Sequence, residues 1–425
     1  MARETPADDC TPPSMAAPGG ERGNAMHGTG QEIRCATDGR QLLWLFALGM
    51  GACNLLFQWL LQQHSELSRR DFSAFWVAGK LFDAGRAHQL YNIAAQAQLH
   101  LYAPYRQVPL PFIHAPYEAA LFALLALLPY QASYVVWSLV NLALLTLMAW
   151  RLQPRLAPLC DRAVPLILLL SLAYWPNAMV LFQGQDSILV AVLLVEAFVQ
   201  LKQGRDGRAG VILALGMFKF HLLLPLVACL AMNRQWRVLK SFAAVACCVG
   251  ALCVAMVGIG GVHQYLELLP QLSRMPLARY IRAEEMPNLR GLLSTLLTGT
   301  PRLIGISILA ACAAVCGAVA WSLPGQDRGR RFDLFFACAT AGSYALSFHS
   351  YEHDMAAMFP GLMLAGSAVA HVGSWRLRMA CLGTMALLWF SPLYIFLSYH
   401  NVLCLMCLPV VTYIGLIAII AGKTA

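Results

Sequence analysis

Charge is what this chain has least of. Only 12% of its 425 residues are Asp, Glu, Lys or Arg, while 59% are apolar. A soluble domain carries roughly 25% charged residues. Half that share cannot cover a water-facing surface, which excludes an ordinary soluble globular protein. The chain also has no Walker-type glycine run and no Gly-x-Gly-x-x-Gly following a strand, so the usual cradles for a soluble nucleotide are missing. The net charge of +9 is modest and sits in short clusters between apolar blocks, a pattern of topology and not of nucleic-acid binding. There are 14 cysteines, almost all within apolar segments. Cys404 and Cys407 have CxxC spacing, and Cys312 and Cys316 lie one helical turn apart. Neither pair has His or Cys neighbours to complete a zinc site. They read as small buried hydrophobes, and neither a metal nor another cofactor is expected.

What is present is a series of apolar blocks near membrane-spanning length, about 20 residues each. The candidate spans are 41–62, 131–151, 163–182, 186–202, 208–220, 221–233, 241–260, 302–323, 332–349, 354–372, 377–395 and 402–421. The expected fold is an all-α polytopic bundle of about 12 transmembrane helices. Residues 1–40 are rich in Pro, Gly, Ala and Thr without hydrophobic periodicity, and read as a disordered cytoplasmic tail. They do not read as a signal peptide, because the first apolar run starts only near Gln41 and is long enough to span. Residues 41–425 form the transmembrane domain.

Placing the N-terminus in the cytoplasm puts every basic connection on one side. These are Arg151/Arg155/Arg162, Lys202/Arg205/Arg208, Arg234/Arg237/Lys240, Arg328/Arg330/Arg331 and Arg376/Arg378, with Lys423 at the end. The positive-inside rule then makes both ends cytoplasmic and the protein multi-pass in the plasma (inner) membrane, surrounded by membrane lipids. The assignment requires that 112–128 not cross. That segment is bracketed by Pro111, Pro116 and Pro129 and contains Glu118, so it reads as interfacial or re-entrant. The hairpin 208–233 is short for two crossings. It can be two half-length helices meeting at Lys219-Phe220-His221, irregular backbone of the kind that lines a cavity.

The same topology sorts the polar chemistry. The long loops 63–130 and 261–301 are both outside, as are the tight turns Gln183-Gly184-Gln185-Asp186 and His349-Ser350-Tyr351-Glu352-His353-Asp354. All histidines except His27 and His371 fall outside or at the outer boundary. Ionisable groups at membrane depth usually face a cavity or each other, so the set points to a site on the periplasmic face. Its candidate substrate contacts are Arg70, His114, Tyr117, Gln185, Lys219, His221, Asn288, Arg290, His349, Tyr351, His353 and Asp354. Lys219 stands out, because an unpaired ammonium within an apolar hairpin calls for an anionic ligand or for snorkelling to the interface.

Ser68-Arg69-Arg70-Asp71-Phe72 opens the first outer loop. Phe72, Phe75, Trp76, Gly79 and Leu90 suggest an amphipathic helix lying on the membrane, with Asp71 at its start. An Asp there has two readings. It can cap the helix by accepting backbone N–H bonds, or it can be a carboxylate at a cavity rim that removes a proton from an acceptor hydroxyl. Arg69 and Arg70 would hold its pKa low, or bind lipid phosphate.

The run Asp71-Phe72-Ser73-Ala74-Phe75-Trp76-Val77-Ala78-Gly79, followed by Gly85-Arg86-Ala87 and Leu90-Tyr91-Asn92, resembles the first outer loop of glycosyltransferase family 87. Further elements follow in order: His114-Ala115-Pro116-Tyr117, Leu127-Leu128-Pro129-Tyr130, Trp137, Gly184-Gln185-Asp186-Ser187, Ala209-Gly210, Lys219 and Tyr351-Glu352-His353-Asp354. The resemblance covers about residues 41–395. The chain departs from the family pattern at Ala115, at Phe220-His221 and at Glu352-His353, which bears on sugar and acceptor more than on class.

The resemblance implies a GT-C-like bundle with interfacial helices in the first outer loop. It implies a polyprenyl-phosphate-linked sugar donor, mannose or another hexose, and a lipid or glycan hydroxyl as acceptor. Asp71 matches the family's first-loop aspartate and would be the catalytic base, with inversion at the anomeric carbon. Lys219, His349, His353 and Arg290 are the candidates to stabilise the leaving phosphate. Two other classes fit the residues alone: a transporter or flippase of a lipid-linked or anionic substrate, suggested by the short hairpin, and a non-catalytic membrane subunit.

Overall fold

The structure is a computed structural model that describes residues 22–64, 71–100, 110–156, 164–271, 282–297, 301–322 and 328–423. It divides into two compact units, Met1–Leu43 and Trp44–Ala425, and the helical bundle with its polar cavity belongs to the second. Among the described residues the chain is all-helical. The helices are α1 (Arg22–His64), α2 (Phe72–Asp83), α3 (Ile93–His100), α4 (Pro116–Ala126), α5 (Tyr130–Leu152), α6 (Val164–Ala173), α7 (Trp175–Gln183), α8 (Ser187–Lys202) and α9 (Asp206–Leu215). They continue with α10 (Phe220–Met232), α11 (Trp236–Gln271), α12 (Leu289–Leu296), α13 (Pro301–Trp321), α14 (Arg330–Leu346), α15 (Phe359–Val369), α16 (Trp375–Trp389), α17 (Ser391–Tyr399) and α18 (Cys407–Lys423). Helix α1 starts inside the stretch expected to be a tail, although its membrane-length apolar part starts at Gly39.

Among the described residues five helices are long and apolar enough to cross a membrane, or up to eight segments if each bent pair counts as one span. This is fewer than the 12 transmembrane helices expected. The bent pairs are α6/α7 at 73°, Asp206–Leu215 with Met217–Met232 at 61°, and α16/α17 at 58°. The apolar windows of α1, α11 and α13 are each only 11% buried. Exposed leucines and isoleucines along them would be costly in water and are neutral in lipid. The segment 112–128 contains only the 11-residue α4, which is too short to span.

The bends leave backbone carbonyls without helical partners, and polar side chains satisfy them. Asn54 of α1 donates to the carbonyls of Leu172 and Ala173 at the α6/α7 break, 3.1 Å each, while accepting from Ser391 at the α16/α17 break. One buried amide therefore ties both joints. Helix α2 does not lie half-wet on the membrane as expected. Phe72 to Gly79 are buried on every face, because α4 packs directly on it; a Cβ at Gly79 would stand 2.6 Å from the Phe122 carbonyl oxygen.

Candidate functional site

Five chain segments meet around one cavity of about 600 Å³. They are the start of α2 with the Leu110–His114 approach to α4, the breaks at Gly184 and Lys219, and the turn after α14.

The Gly184 break is built by α5. Gly184 ends α7 in the left-handed region, φ 72°, where glycine is favoured. Tyr134 and Trp137, three apart on one face of α5, donate to the carbonyls this turn frees: Tyr134 to Leu181 and Phe182 at 2.8 Å, Trp137 to Gly184 and Gln185 at 3.1 Å. So fixed, Gln185 donates its side-chain amide to the Asp71 carboxylate.

Asp71 stands at the N-cap position of α2, yet its side chain makes no capping bond and its backbone is helical, φ −60° and ψ −22°. The capping reading fails, and the carboxylate lines the cavity. Burial pushes its pKa up to about 6, and Gln185 and Lys219 offset only part of that. The expectation of a pKa held low is therefore reversed by desolvation. Arg70 lies outside the described residues.

Lys219 is buried and its ammonium already has partners: Asp186 at 2.8 Å, Asp354 at 2.6 Å and the Ser187 hydroxyl at 2.7 Å. Two carboxylates neutralise Lys219, so it needs no external anion. Its buried network joins α8, the α9/α10 break and the turn 352–358. Asp186 was not among the residues expected in the site; the signal was available, because a cation at membrane depth demands a nearby acid. His114 adds to the network, with Nδ1 2.8 Å from Glu118 and 3.5 Å from Asp186. Burial pulls His114 down, but these two carboxylates more than offset it and push it up to about 10. The ligand atoms of His114, Glu118 and Asp186 lie within 4.8 Å of one another, so these are residues that could hold a metal ion. Lys219 already occupies one carboxylate of that set.

The turn after α14, with Arg290 of α12 and His221 of α10, supplies the cationic and imidazole side. Arg290 lines the cavity and donates to the Phe348 carbonyl at 2.5 Å. His221 and His349 pack ring against ring at 6.5 Å, and Tyr351 stands over His349 at 5.2 Å. Burial holds His349 down at about 4, so it is a neutral imidazole. His353 and Asp354 complete the wall; Asp354 also accepts from the Tyr351 backbone N–H at 3.0 Å, which locks the turn.

Two expected contacts lie elsewhere. Asn288 is fully buried, caps α12 by accepting from Gly291 at 2.8 Å, and donates to the Ser347 carbonyl at 3.0 Å. It fixes the turn without lining the cavity. Tyr117 donates to the Leu215 carbonyl at 2.9 Å and so braces the α9/α10 break. The cavity also bears two acids absent from the expected set, Glu285 and Glu352.

No curated protein and no solved structure matches the chain. The family model described as glycosyltransferase family 87 matches residues 112–347. The matched stretch includes His114, Gln185, Lys219 and Arg290, and it ends on either side short of Asp71 and of the turn 348–354. It spans more than half of the chain, which belongs to glycosyltransferase family 87.

Proposed function

We propose that this glycosyltransferase moves a hexose, mannose in the first instance, from polyprenyl phosphate to a hydroxyl of a lipid or glycan acceptor at the periplasmic face of the inner membrane. The observation that carries the reading is the Asp71 carboxylate. It is freed from helix capping, oriented by Gln185, and opens into the cavity that also holds Arg290 and His349. Asp71 takes the proton of the acceptor hydroxyl as that oxygen bonds to the anomeric carbon. On the opposite face of the sugar the bond from the anomeric carbon to the phosphate oxygen breaks. Its electron pair leaves with polyprenyl phosphate, and the configuration inverts. Arg290 offers a fixed charge to the phosphate, and the imidazoles of His349 and His221 offer hydrogen bonds. Lys219, His353 and Asp354 shape the wall behind them.

Family membership separates this reading from a transporter, although three broken helix pairs would suit one. The test uses the full chain in lipid nanodiscs with radiolabelled polyprenyl-phosphate hexoses and a membrane lipid extract as acceptor. Wild type transfers label. Asp71→Asn lowers transfer roughly 100- to 10,000-fold while donor binding persists. Near-normal transfer by Asp71→Asn would remove Asp71 from the role of base.

A further inference from the structure

A second carboxylate beside Asp71 has no part in the steps above. Glu352 begins the short turn Glu352–Met358 and lines the cavity. Its Oε2 accepts from the indole N–H of Trp175 at 2.9 Å. Trp175 is 2% exposed and wedged between Phe57 and Tyr394, with ring centroids 5.1 and 6.1 Å away. The carboxyl group is thus held by a rigid donor.

An ionised carboxylate has about four acceptor positions, and this indole uses one. Among the described residues no cation pairs with it: burial, then the charges of Glu285 and Asp71, push Glu352 up to about 7, with Trp175 opposing. Two residues further on, Asp354 is spent on Lys219. One turn therefore carries an acid committed to the fold and an acid with open acceptors facing the cavity. A half-buried carboxylate with open acceptors at a cavity wall suits a neutral donor, and hydroxyl pairs of a pyranose are such donors. Placement selects which sugar. Glu352 follows His349 by three residues, and both line the cavity with Arg290, where the phosphate sits in the proposed reaction. The ring bonded to that phosphate is the donor sugar.

We infer that Glu352, braced by Trp175, binds ring hydroxyls of the donor sugar and so positions its anomeric carbon for Asp71. The inference rests on the lipid-phosphate donor reading. Its test compares, for the full chain in nanodiscs, the affinity for polyprenyl phosphate and for its mannosyl, glucosyl and galactosyl derivatives, taking the tightest of the three. Glu352→Gln is expected to weaken the sugar-bearing lipid roughly 10- to 100-fold and to leave the sugarless lipid within about twofold. Trp175→Phe, which keeps a ring but removes the N–H, shifts affinity in the same sugar-dependent direction by less, and serves if Glu352→Gln does not fold. Equal weakening of both lipids, or no change in either, overturns the inference. Failure of wild type to bind any of these lipids overturns the donor reading itself.

Discussion

Asp71 and Asp186 both occupy helix N-cap positions, and neither side chain caps its helix. Asp is a favoured capping residue, so leaving two such caps unmade is a local inconsistency of the kind found at functional sites. Each carboxylate is diverted instead, Asp71 to the cavity and Gln185, Asp186 to Lys219. For Asp71 the diversion has a pH signature. Burial raises its pKa from 3.8 to about 6, and only the ionised form can accept a proton. Transfer is expected to rise with pH through about 6 and then level off, measured as initial rate at saturating donor between pH 4.5 and 8. The same displacement fixes the sign for stability. A carboxyl group whose pKa rises on folding favours the folded state most when protonated, and that contribution is lost as pH rises through about 6. Asp71→Asn, which does not titrate, should therefore be more stable than wild type by about 1–3 kcal/mol at pH 7.5. The difference should shrink towards pH 4. A thermal-melt series across that range checks it, and a variant less stable than wild type at pH 7.5 would contradict burial as the cause.

At the scale of elements, Lys219 is the tie between α8, the α9/α10 break and the turn 352–358. Removing one partner of a buried ion pair costs about 3–5 kcal/mol, because the remaining charge stays desolvated. Lys219→Met should lower the melting temperature by that measure or prevent accumulation in membranes. Adding Asp354→Asn should restore part of the loss by removing one stranded charge. A Lys219→Met protein with wild-type melting would show that the triad contributes nothing to the fold. This tie also marks how far the sequence could be read. Hydropathy and charge grouped Lys219, the 349–354 turn and Asp71, and nine of the twelve expected contacts line the one cavity. Pairing was not legible: linear order does not show that Asp186 and Asp354 both reach Lys219, or that Asn288 turns inward to a backbone carbonyl. Bends were only half legible. Hydropathy sums a window and is blind to direction, so 163–182 and 377–395 read as single crossings, although Pro176 and Pro392 stand at the first turns of α7 and α17 and prolines there mark new helix starts. Glu352 was hidden for a different reason, since its distinguishing feature is an indole 177 positions away.

For the whole molecule, the helices sort their ends by chemistry. The Ser187 end of α8 meets Lys219 and Asp354, while its other end carries the Lys202–Asp333 pair at 2.6 Å. Beside that second end lie Arg151–Glu196 and Arg328–Asp206, each at 2.7 Å. Helix α8 has 16 residues, and at 1.5 Å per residue its ends stand about 24 Å apart. The basic connections and the cavity therefore occupy opposite ends of one bundle, separated by nearly the thickness of a hydrocarbon core. In the proposed orientation the basic end lies in the cytoplasm, as the positive-inside rule asks, and the cavity opens to the periplasm. The orientation is open to a direct measurement in a cysteine-depleted background. Glu267→Cys, at an exposed position on the cavity side, should react with a membrane-impermeant maleimide in intact spheroplasts. Arg234→Cys, in the basic connection between α10 and α11, should react only after the membrane is opened. The reverse pattern would turn the molecule over, place Asp71 in the cytoplasm, and require a donor on the inner leaflet.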